Sequence, residues 1–154
     1  MQVSVIIPTY NRAEYLSLAL KSVFCQSFSP FEIVVVDDGS SDNTADIVRA
    51  FGPKVRYFRQ DHQGVSAARN LGLDVAQSEV IAWLDADDLW EPAFLASVIS
   101  RLEAAPGLDG VYTGFDFIDA AGHPLLRTSQ KVVRPGDLFS ALVSDNFIQT
   151  STIV

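Results

Sequence analysis

Short apolar runs that alternate with longer amphipathic stretches constrain the fold of this chain most strongly. Four of these runs have the length of buried strands, Val3–Ile7, Phe31–Val36, Val55–Phe58 and Val80–Leu84, and the first of them is rich in β-branched residues. Between them, Ala13–Gln26 and Val65–Val75 carry apolar residues at helical spacing. This alternation predicts an α/β layered domain, with a mainly parallel central sheet and helices on both of its faces.

The predicted helices have recognisable starting residues. Ser41 or Asp42 is suited to cap the second helix, and Pro92 is suited to open a helix that runs to about Ala105. After Pro106 the pattern changes, and we expect a strand, a turn, a short helix and a β-like segment. These are, in order, Val111–Ile118, 120–123, Pro135–Val143 and Gln149–Val154. Because the last segment has no terminating turn, we expect the domain to be truncated at its C-terminal end.

Composition excludes several classes of protein. The net charge of −8 and the scattered basic residues argue against a nucleic-acid partner. Cys25 is the one cysteine, so it can form no internal disulfide, and we expect it to pack in the core. The sequence has neither a signal peptide nor a transmembrane segment of about 18–20 apolar residues. The expected location is the reducing cytoplasm, with the inner face of the membrane as the alternative.

Clustered carboxylates follow two of the predicted strands. In open α/β sheets, ligands bind beyond the carboxyl ends of the strands, and Asp37-Asp38 and Asp85-Ala86-Asp87-Asp88 lie at such ends. In extended backbone, Asp85 and Asp87 would project to one side and face a shared point. Carboxylate oxygens suit Mn²⁺ or Mg²⁺, which take few protein ligands and complete their shell with substrate phosphates. A metal-assisted anion site is therefore one interpretation of this edge.

The structural alternatives are specific. Asp is common in turns and helix caps, so an Asp-x-Asp triplet alone is a weak signal, and Asp88 is equally suited to a cap. The Asp37-Asp38 pair is harder to explain by packing. His62, just before the Gly64 motif, fits either a solvated loop residue or a ligand contact, and His123 is interpreted as a structural residue of a turn. We expect Trp83 to lie in the core, whereas Trp90 fits either a sugar pocket or helix packing.

Four motifs, in this order, resemble those of the family 2 glycosyltransferases, which have the GT-A fold, a Rossmann-like α/β arrangement. The similarity is close over residues 2–119 and looser beyond them. The motifs are Pro-Thr-Tyr-Asn-Arg at 8–12, Asp-Asp-Gly-Ser-Ser-Asp-Asn-Thr at 37–44, Gly-Val-Ser-Ala-Ala-Arg-Asn at 64–70 and Asp-Ala-Asp-Asp at 85–88. The resemblance implies one domain over 1–154, with a nucleotide-sugar-binding part at 1–119 and the incomplete start of an acceptor-side part at 120–154.

The resemblance also implies a base-binding end. Tyr10 matches the residue that stacks on the nucleotide base, and Pro8 and Thr9 would contribute neighbouring contacts. Asp38 matches the carboxylate that accepts a hydrogen bond from the base, commonly uracil. Asp37 would be its structural partner or would contact the ribose.

A phosphate-binding end follows from the other two motifs. Arg69 would face the phosphates of the nucleotide. Asp85 matches the first acid of the Asp-x-Asp motif, near ribose and metal, and Ala86 would contact the nucleotide between the two acids. Asp87 matches the direct ligand of Mn²⁺ or Mg²⁺.

The activity implied is metal-dependent, inverting transfer of a sugar from a nucleoside diphosphate-sugar donor, in particular a UDP-sugar, to the hydroxyl of a saccharide or another acceptor. A carboxylate would deprotonate that hydroxyl. We expect this base to lie beyond Val154; if it lies within the chain, Asp116, Asp119 and Asp145 are the candidates.

Rival functions require motifs that this chain lacks. A nicotinamide-binding domain needs a glycine-rich first turn, and residues 8–12 contain no glycine. A P-loop nucleotidase needs Gly-Lys-Ser/Thr, which does not occur. A receiver-type phosphoacceptor would carry its acidic pair after the first strand. From another class, a non-catalytic module that binds a nucleotide-sugar without turnover remains an alternative, and activity of a longer chain separates it from a transferase.

Overall fold

A computed structural model of the chain describes residues 1–120, 122–125 and 148–154. Strands and helices alternate along its first hundred residues, as the sequence predicts. The strands are β1 (Val3–Thr9), β2 (Glu32–Asp37), β3 (Val55–Arg59) and β4 (Val80–Trp83). The helices are α1 (Ala13–Phe24), α2 (Thr44–Ala50), α3 (Val65–Val75) and α4 (Phe94–Ala104), and a 3₁₀ turn spans Thr150–Thr152.

The four strands form one sheet in the order β3-β2-β1-β4, and every pair is parallel. The register aligns Thr9 of β1 with Asp37 of β2, and Asp37 with Arg59 of β3. The predicted parallel sheet is thus confirmed. Because all four strands run the same way, the loops that carry the conspicuous motifs leave the sheet at one edge.

Alternate residues of the buried strands pack into two separate cores. Val3, Val5 and Ile7 of β1 point into the larger core, which contains the apolar faces of α1 and α4. Ile6 points to the other face of the sheet, where α3 contributes Ala68. Burial on both faces explains why these strands are almost continuously apolar.

Gly72 lets α3 lie close against the sheet. A Cβ atom at this position would come within 2.4 Å of Ile6 Cγ2. A side chain here would therefore push the helix away from β1. The glycine fixes the position of α3, and so also that of Arg69 one turn earlier on the helix.

The sequence predicted that the first strand ends at Ile7, before Pro8. In the structure, β1 continues through Pro8 to Thr9. Pro8 pairs with Val36 of β2, whereas the pairing with β4 ends at Ile6, opposite Trp83. At Pro8 the strand therefore has a hydrogen-bonded neighbour on one side only, and a missing N–H is tolerated there.

The helix ends differ from the predicted ones by one or two residues. Asp42 fulfils the predicted cap of α2, because its Oδ1 accepts the Thr44 N–H at 3.0 Å. Pro92 lies in the turn before α4, not inside the helix. Helix α1 ends at Phe24, which leaves Cys25 exposed, so the expected core position is wrong. Among the described residues, no helix has the length and apolarity needed to cross a membrane.

The segment after α4 is less regular than the sequence predicted. The expected strand Val111–Ile118 is wrong: the described residues there form isolated bridges only, from Tyr112 to Ile153 and from Ile118 to Pro124. The β-like segment Gln149–Val154 contains the 3₁₀ turn and regains extended backbone at Ile153. The helix predicted for Pro135–Val143 lies outside the described residues.

Candidate functional site

The loops after β1 and β2 are tied to each other by polar side chains. Asn11 has a positive φ of 50°, and its N–H donates to Ser40 Oγ at 2.9 Å. In return, its Oδ1 accepts the Ser41 N–H at 2.8 Å. Asp42 Oδ2 accepts the N–H of Ala13, the first residue of α1, at 3.1 Å. The two loops therefore form one rigid unit at the carboxyl edge of the sheet.

Asp37 lies fully inside this unit. Its Oδ1 accepts the Ser40 N–H at 2.8 Å, and its Oδ2 accepts the hydroxyl of Tyr57. Burial, and then the hydrogen bond to Asp37, raise the pKa of Tyr57 to about 12. With no exposed surface and both oxygens bound by protein groups, Asp37 supports the loop from inside.

Asp38 is buried and accepts hydrogen bonds from the segment that connects β3 to α3. Its Oδ1 accepts Gln60 Nε2 at 2.6 Å and the Gln63 N–H at 2.9 Å. Its Oδ2 accepts the Gly64 N–H at 2.8 Å and lies 2.8 Å from His62 Nδ1. Burial raises the pKa of this carboxyl, but these donors outweigh burial and the pKa is lowered overall.

Tyr10 and His62 form a stacked pair beside Asp38. Their ring centroids are 4.1 Å apart, and the ring planes are inclined by 23°. His62 Nδ1 also lies 3.1 Å from the backbone oxygen of Asp38. Since both of its contacts on Asp38 are acceptors, Nδ1 carries the proton. His62 is an exposed loop residue, as the sequence indicates, and its ring also contacts Tyr10 and Asp38.

The two residues before Tyr10 are buried at the end of β1. The side chain of Thr9 carries a buried hydroxyl that makes no hydrogen bond among the described residues. Such a group has lost its hydration without compensation, which favours a ligand that supplies a partner.

Asp85-Ala86-Asp87-Asp88 form a turn, which we call the acidic turn. The Asp88 N–H donates to the Asp85 carbonyl at 3.0 Å, so the extended backbone expected for this motif is wrong. Asp85 and Asp87 consequently make separate ion pairs. Asp85 Oδ1 accepts Arg69 Nη2 at 2.7 Å, and Asp87 Oδ2 lies 3.8 Å from Arg12 Nε.

Ser151 fixes the acidic turn from the far end of the chain. Its Oγ accepts the Asp85 N–H at 2.9 Å and donates to Asp88 Oδ2. Its backbone oxygen accepts Trp90 Nε1 at 2.7 Å. Burial, followed by the charges of Asp87 and Asp85, raises the pKa of Asp88, although the Ser151 bond opposes this. The charges of Asp87 and Asp85 thus add to the effect of burial on Asp88.

The acidic turn suits a hard divalent cation that takes few protein ligands. Within the described part of the chain, no group of three or more acidic, histidine or cysteine side chains is arranged to hold a metal. Asp87 is half-exposed, and its arginine contact is long, so it can exchange that partner for a cation. Its oxygen donors match Mn²⁺ and Mg²⁺, which bind through one or two carboxylates together with phosphate oxygens.

A cavity of about 1280 Å³ adjoins the acidic turn. Its acidic and aromatic side chains come from two stretches of the chain, 87–94 and 115–117. Its lining includes Asp87, Asp88, Trp90, Phe94, Phe115 and Asp116. The expected packing of Trp90 is confirmed, because its buried ring stacks on Phe94, and the residue also lines the cavity.

The three candidate bases within the chain are not equivalent. Asp116 lines the cavity. Asp119 lies in a turn, where its Oδ1 accepts the His123 N–H at 2.9 Å, so His123 has a structural contact. Asp145 lies outside the described residues.

This sheet, with its polar loops at the carboxyl edge, defines a GT-A-type α/β domain, as expected. The chain belongs to glycosyl transferase family 2, whose family profile matches residues 4–147. It is 42% identical to an uncharacterised glycosyltransferase of Nostoc sp. over 123 residues, and this similarity covers 77% of the chain. The chain spans 38% of the length of that relative, and 39% and 22% of two Rickettsia relatives.

Solved structures with the same fold carry nucleotides. S. aureus TarS 1–349 in complex with UDP is 32% identical with a TM-score of 0.64, over 68% of this chain and 32% of that one. The mannosyltransferase PcManGT of Pyrobaculum calidifontis, in complex with GDP-Man and Mn²⁺, is also 32% identical with a TM-score of 0.64. That similarity covers 72% of this chain and 34% of the mannosyltransferase.

Proposed function

We propose that this chain binds the nucleotide of a UDP-sugar and transfers the sugar to the hydroxyl of a saccharide or another acceptor. One observation carries the proposal. A ring platform beside a buried carboxylate (Tyr10, Asp38) and a set of paired charges (Arg69–Asp85, Arg12–Asp87) flank the same edge of the sheet. The Tyr10 ring and the Asp38 carboxylate suit a nucleobase, and the paired charges suit a diphosphate. The nucleotide complexes of related structures support the assignment.

In this proposal the base lies at Tyr10, with Pro8 and Thr9 beside it, and Asp38 receives its N–H. The Asp38 carboxylate already accepts three hydrogen bonds, and His62 Nδ1 lies 2.8 Å from its Oδ2. A base N–H can therefore reach Asp38 only if Gln60 Nε2 or His62 Nδ1 gives up its position. Asp37 supports this arrangement from beneath.

The diphosphate then lies between Arg69 and the acidic turn. Asp87 and Asp85 would hold Mn²⁺ or Mg²⁺, and Ala86 would contact the ribose from the turn. When bound, such a cation offsets the negative charge that develops on the departing diphosphate. Arg69 supplies a fixed positive charge from α3, and its buried Nε, which has no partner among the described residues, is a free donor for a phosphate oxygen.

The acceptor fits the cavity next to the acidic turn, where aromatic rings and carboxylates line one space. The proposed reaction is a single displacement. The acceptor oxygen attacks the anomeric carbon from the face opposite the diphosphate, which leaves with the electron pair of the broken bond and inverts the centre. A carboxylate takes the hydroxyl proton, and among the described residues Asp116 is the candidate that lines this cavity.

Calorimetric titration tests the binding step. UDP, GDP and dTDP should each be titrated in Mn²⁺ and in EDTA, with UDP expected to bind best and at least about tenfold more weakly in EDTA. Equal affinity in both buffers removes the cation from the account, and no binding of any nucleotide rejects it. A turnover assay with a UDP-sugar and saccharide acceptors then distinguishes a transferase from a binding module.

A further inference from the structure

His62 makes two contacts that a nucleobase would also make at this site. Its flat ring stacks on Tyr10 at 4.1 Å, and its Nδ1 lies 2.8 Å from Asp38 Oδ2 and 3.1 Å from the Asp38 backbone oxygen. The place beside Tyr10 and Asp38 therefore accepts a planar heteroaromatic ring that donates one in-plane N–H. A pyrimidine base of the uracil type has the same two properties.

The ring of His62 and a base cannot use this place together. At 4.1 Å the Tyr10 and His62 rings are in contact, so no third ring fits between them. The His62 ring nitrogen also lies 2.8 Å from Asp38 Oδ2, so it blocks the approach of another donor to that oxygen. A base that stacks on this face of Tyr10 and donates to Asp38 must replace both contacts.

We propose that the imidazole of His62 lies in the nucleobase position, so that base and imidazole compete for Tyr10 and Asp38. This inference rests on the proposed function. It also specifies the base, because the incoming ring must return an N–H to Asp38. Uracil, thymine and guanine carry a ring N–H on the edge that would face the carboxylate, whereas cytosine presents a lone pair there.

Only the side chain of His62 needs to move. The backbone after His62 is held by the bonds from the Gln63 and Gly64 N–H groups to Asp38, and the backbone before it by the Gln60 N–H, which donates to the Asp37 carbonyl at 2.9 Å. Gly39 packs closely against the backbone of His62, since a Cβ atom on Gly39 would lie 3.0 Å from the His62 backbone nitrogen. The side chain itself is 57% exposed, so a change of rotamer carries the ring into solvent.

The first test compares UDP affinity in Mn²⁺ between the wild-type chain and His62→Ala. If the imidazole competes with the base, its removal should tighten UDP binding by about threefold or more, because no competing conformer remains. Inorganic diphosphate has no base, so its affinity should not change. His123→Ala is the matched control and should bind UDP like the wild type. UDP binding that is unchanged or weaker in His62→Ala, with inorganic diphosphate unchanged, overturns the competition.

The second test needs no change at His62. The chain has two histidines, so His123→Ala leaves His62 as the source of all imidazole proton signals. These signals should be shifted upfield by the Tyr10 ring and should return to exposed-imidazole positions on saturation with UDP and Mg²⁺. Retention of the upfield shift would mean that the rings stay stacked, which overturns the inference alone. Failure of all the proteins to bind UDP overturns the proposed function and this inference with it.

Discussion

Asp38 and Asp87 lie at the same edge of the sheet, yet their surroundings are opposite. Asp38 is buried, and both of its oxygens are filled by donors from one short segment. Asp87 is half-exposed, and among the described residues its ion pair is a 3.8 Å contact with Arg12. A charge that accepts hydrogen bonds from backbone and side-chain donors of one segment organises that segment around it, whereas a loosely paired charge can change partner.

This difference assigns separate tasks to the two ends of the site. In the proposed function, the Asp38 end selects the ring that fits, because its hydrogen bonds to the 60–64 segment fix its geometry. The acidic turn keeps three carboxylates close together. Burial, and to a smaller extent the charges of Asp87 and Asp85, raise the pKa of Asp88. Repulsion of this kind is relieved when a cation arrives. The following variants test this division, from the largest expected effect to the smallest.

Asp38→Asn should lower the free energy of unfolding by about 2–4 kcal/mol. The NH₂ group of the asparagine would face the N–H groups of Gln63 and Gly64, which would then lack an acceptor. Urea denaturation measures the loss. Asp61→Asn, at an exposed position of the same segment, should change stability by less than about 0.5 kcal/mol. Equal effects of the two variants would show that Asp38 does not organise the loop.

Asp87→Asn should weaken UDP binding in Mn²⁺ by at least about tenfold and leave the affinity in EDTA unchanged, because it removes an anionic ligand. Stability should stay within about 0.5 kcal/mol, since the ion pair with Arg12 is exposed. Calorimetry measures the first quantity and urea denaturation the second. Asp74→Asn, on the exposed side of α3, is the control. A large loss of stability in Asp87→Asn would contradict the separation of tasks.

Ser151→Ala should destabilise the chain by about 1–2 kcal/mol, because the Asp85 N–H loses its acceptor and Asp88 loses a donor. With the acidic turn less fixed, UDP binding in Mn²⁺ should weaken about two- to fivefold. The exposed Ser29→Ala is the control for loss of a hydroxyl. Full UDP affinity in a destabilised Ser151→Ala would restrict this residue to folding.

The smallest expected effect concerns pH. The pKa of Asp38 in the folded chain is lowered from 3.8, so its stabilisation is present above that value and is lost as pH falls through the lower, folded-state value. The stability difference between wild type and Asp38→Asn should therefore be constant from pH 5 to 7 and narrow only partly at about pH 3. Urea denaturation at each pH measures it, and a difference that widens toward pH 3 would reverse the assigned sign.

Much of this fold was predictable because its signals are local. Each buried strand is a short apolar run, and each strand end is marked by the polar residues that follow it. The strand expected at Val111–Ile118 was wrong because alternation alone does not supply a pairing partner, and this segment forms isolated bridges. The core position expected for Cys25 was wrong because the predicted helix ran to Gln26, whereas α1 ends at Phe24. The apolar pattern does not show where the helix ends.

The site was predictable in its members but not in its contacts. A histidine in a loop carries no periodic signal, and the stacking of His62 on Tyr10 depends on two loops that are brought together by the sheet. Likewise, Asp85-Ala86-Asp87-Asp88 fits both extended backbone and a turn. The bond from Ser151, more than sixty residues away in sequence, helps to hold the turn in place.

The central claim is that the base and the diphosphate of one nucleotide occupy the two ends of this edge. Amide resonances of the ¹⁵N-labelled chain, followed by NMR during titration with UDP and Mg²⁺, test it most directly. The account predicts large shifts at Gln63 and Gly64, beside the Asp38 carboxylate, and at Ala86 and Asp87 in the acidic turn. Inorganic diphosphate with Mg²⁺ should shift the acidic turn alone. Shifts by UDP that leave either end unmoved, or that centre on another surface, would contradict the account.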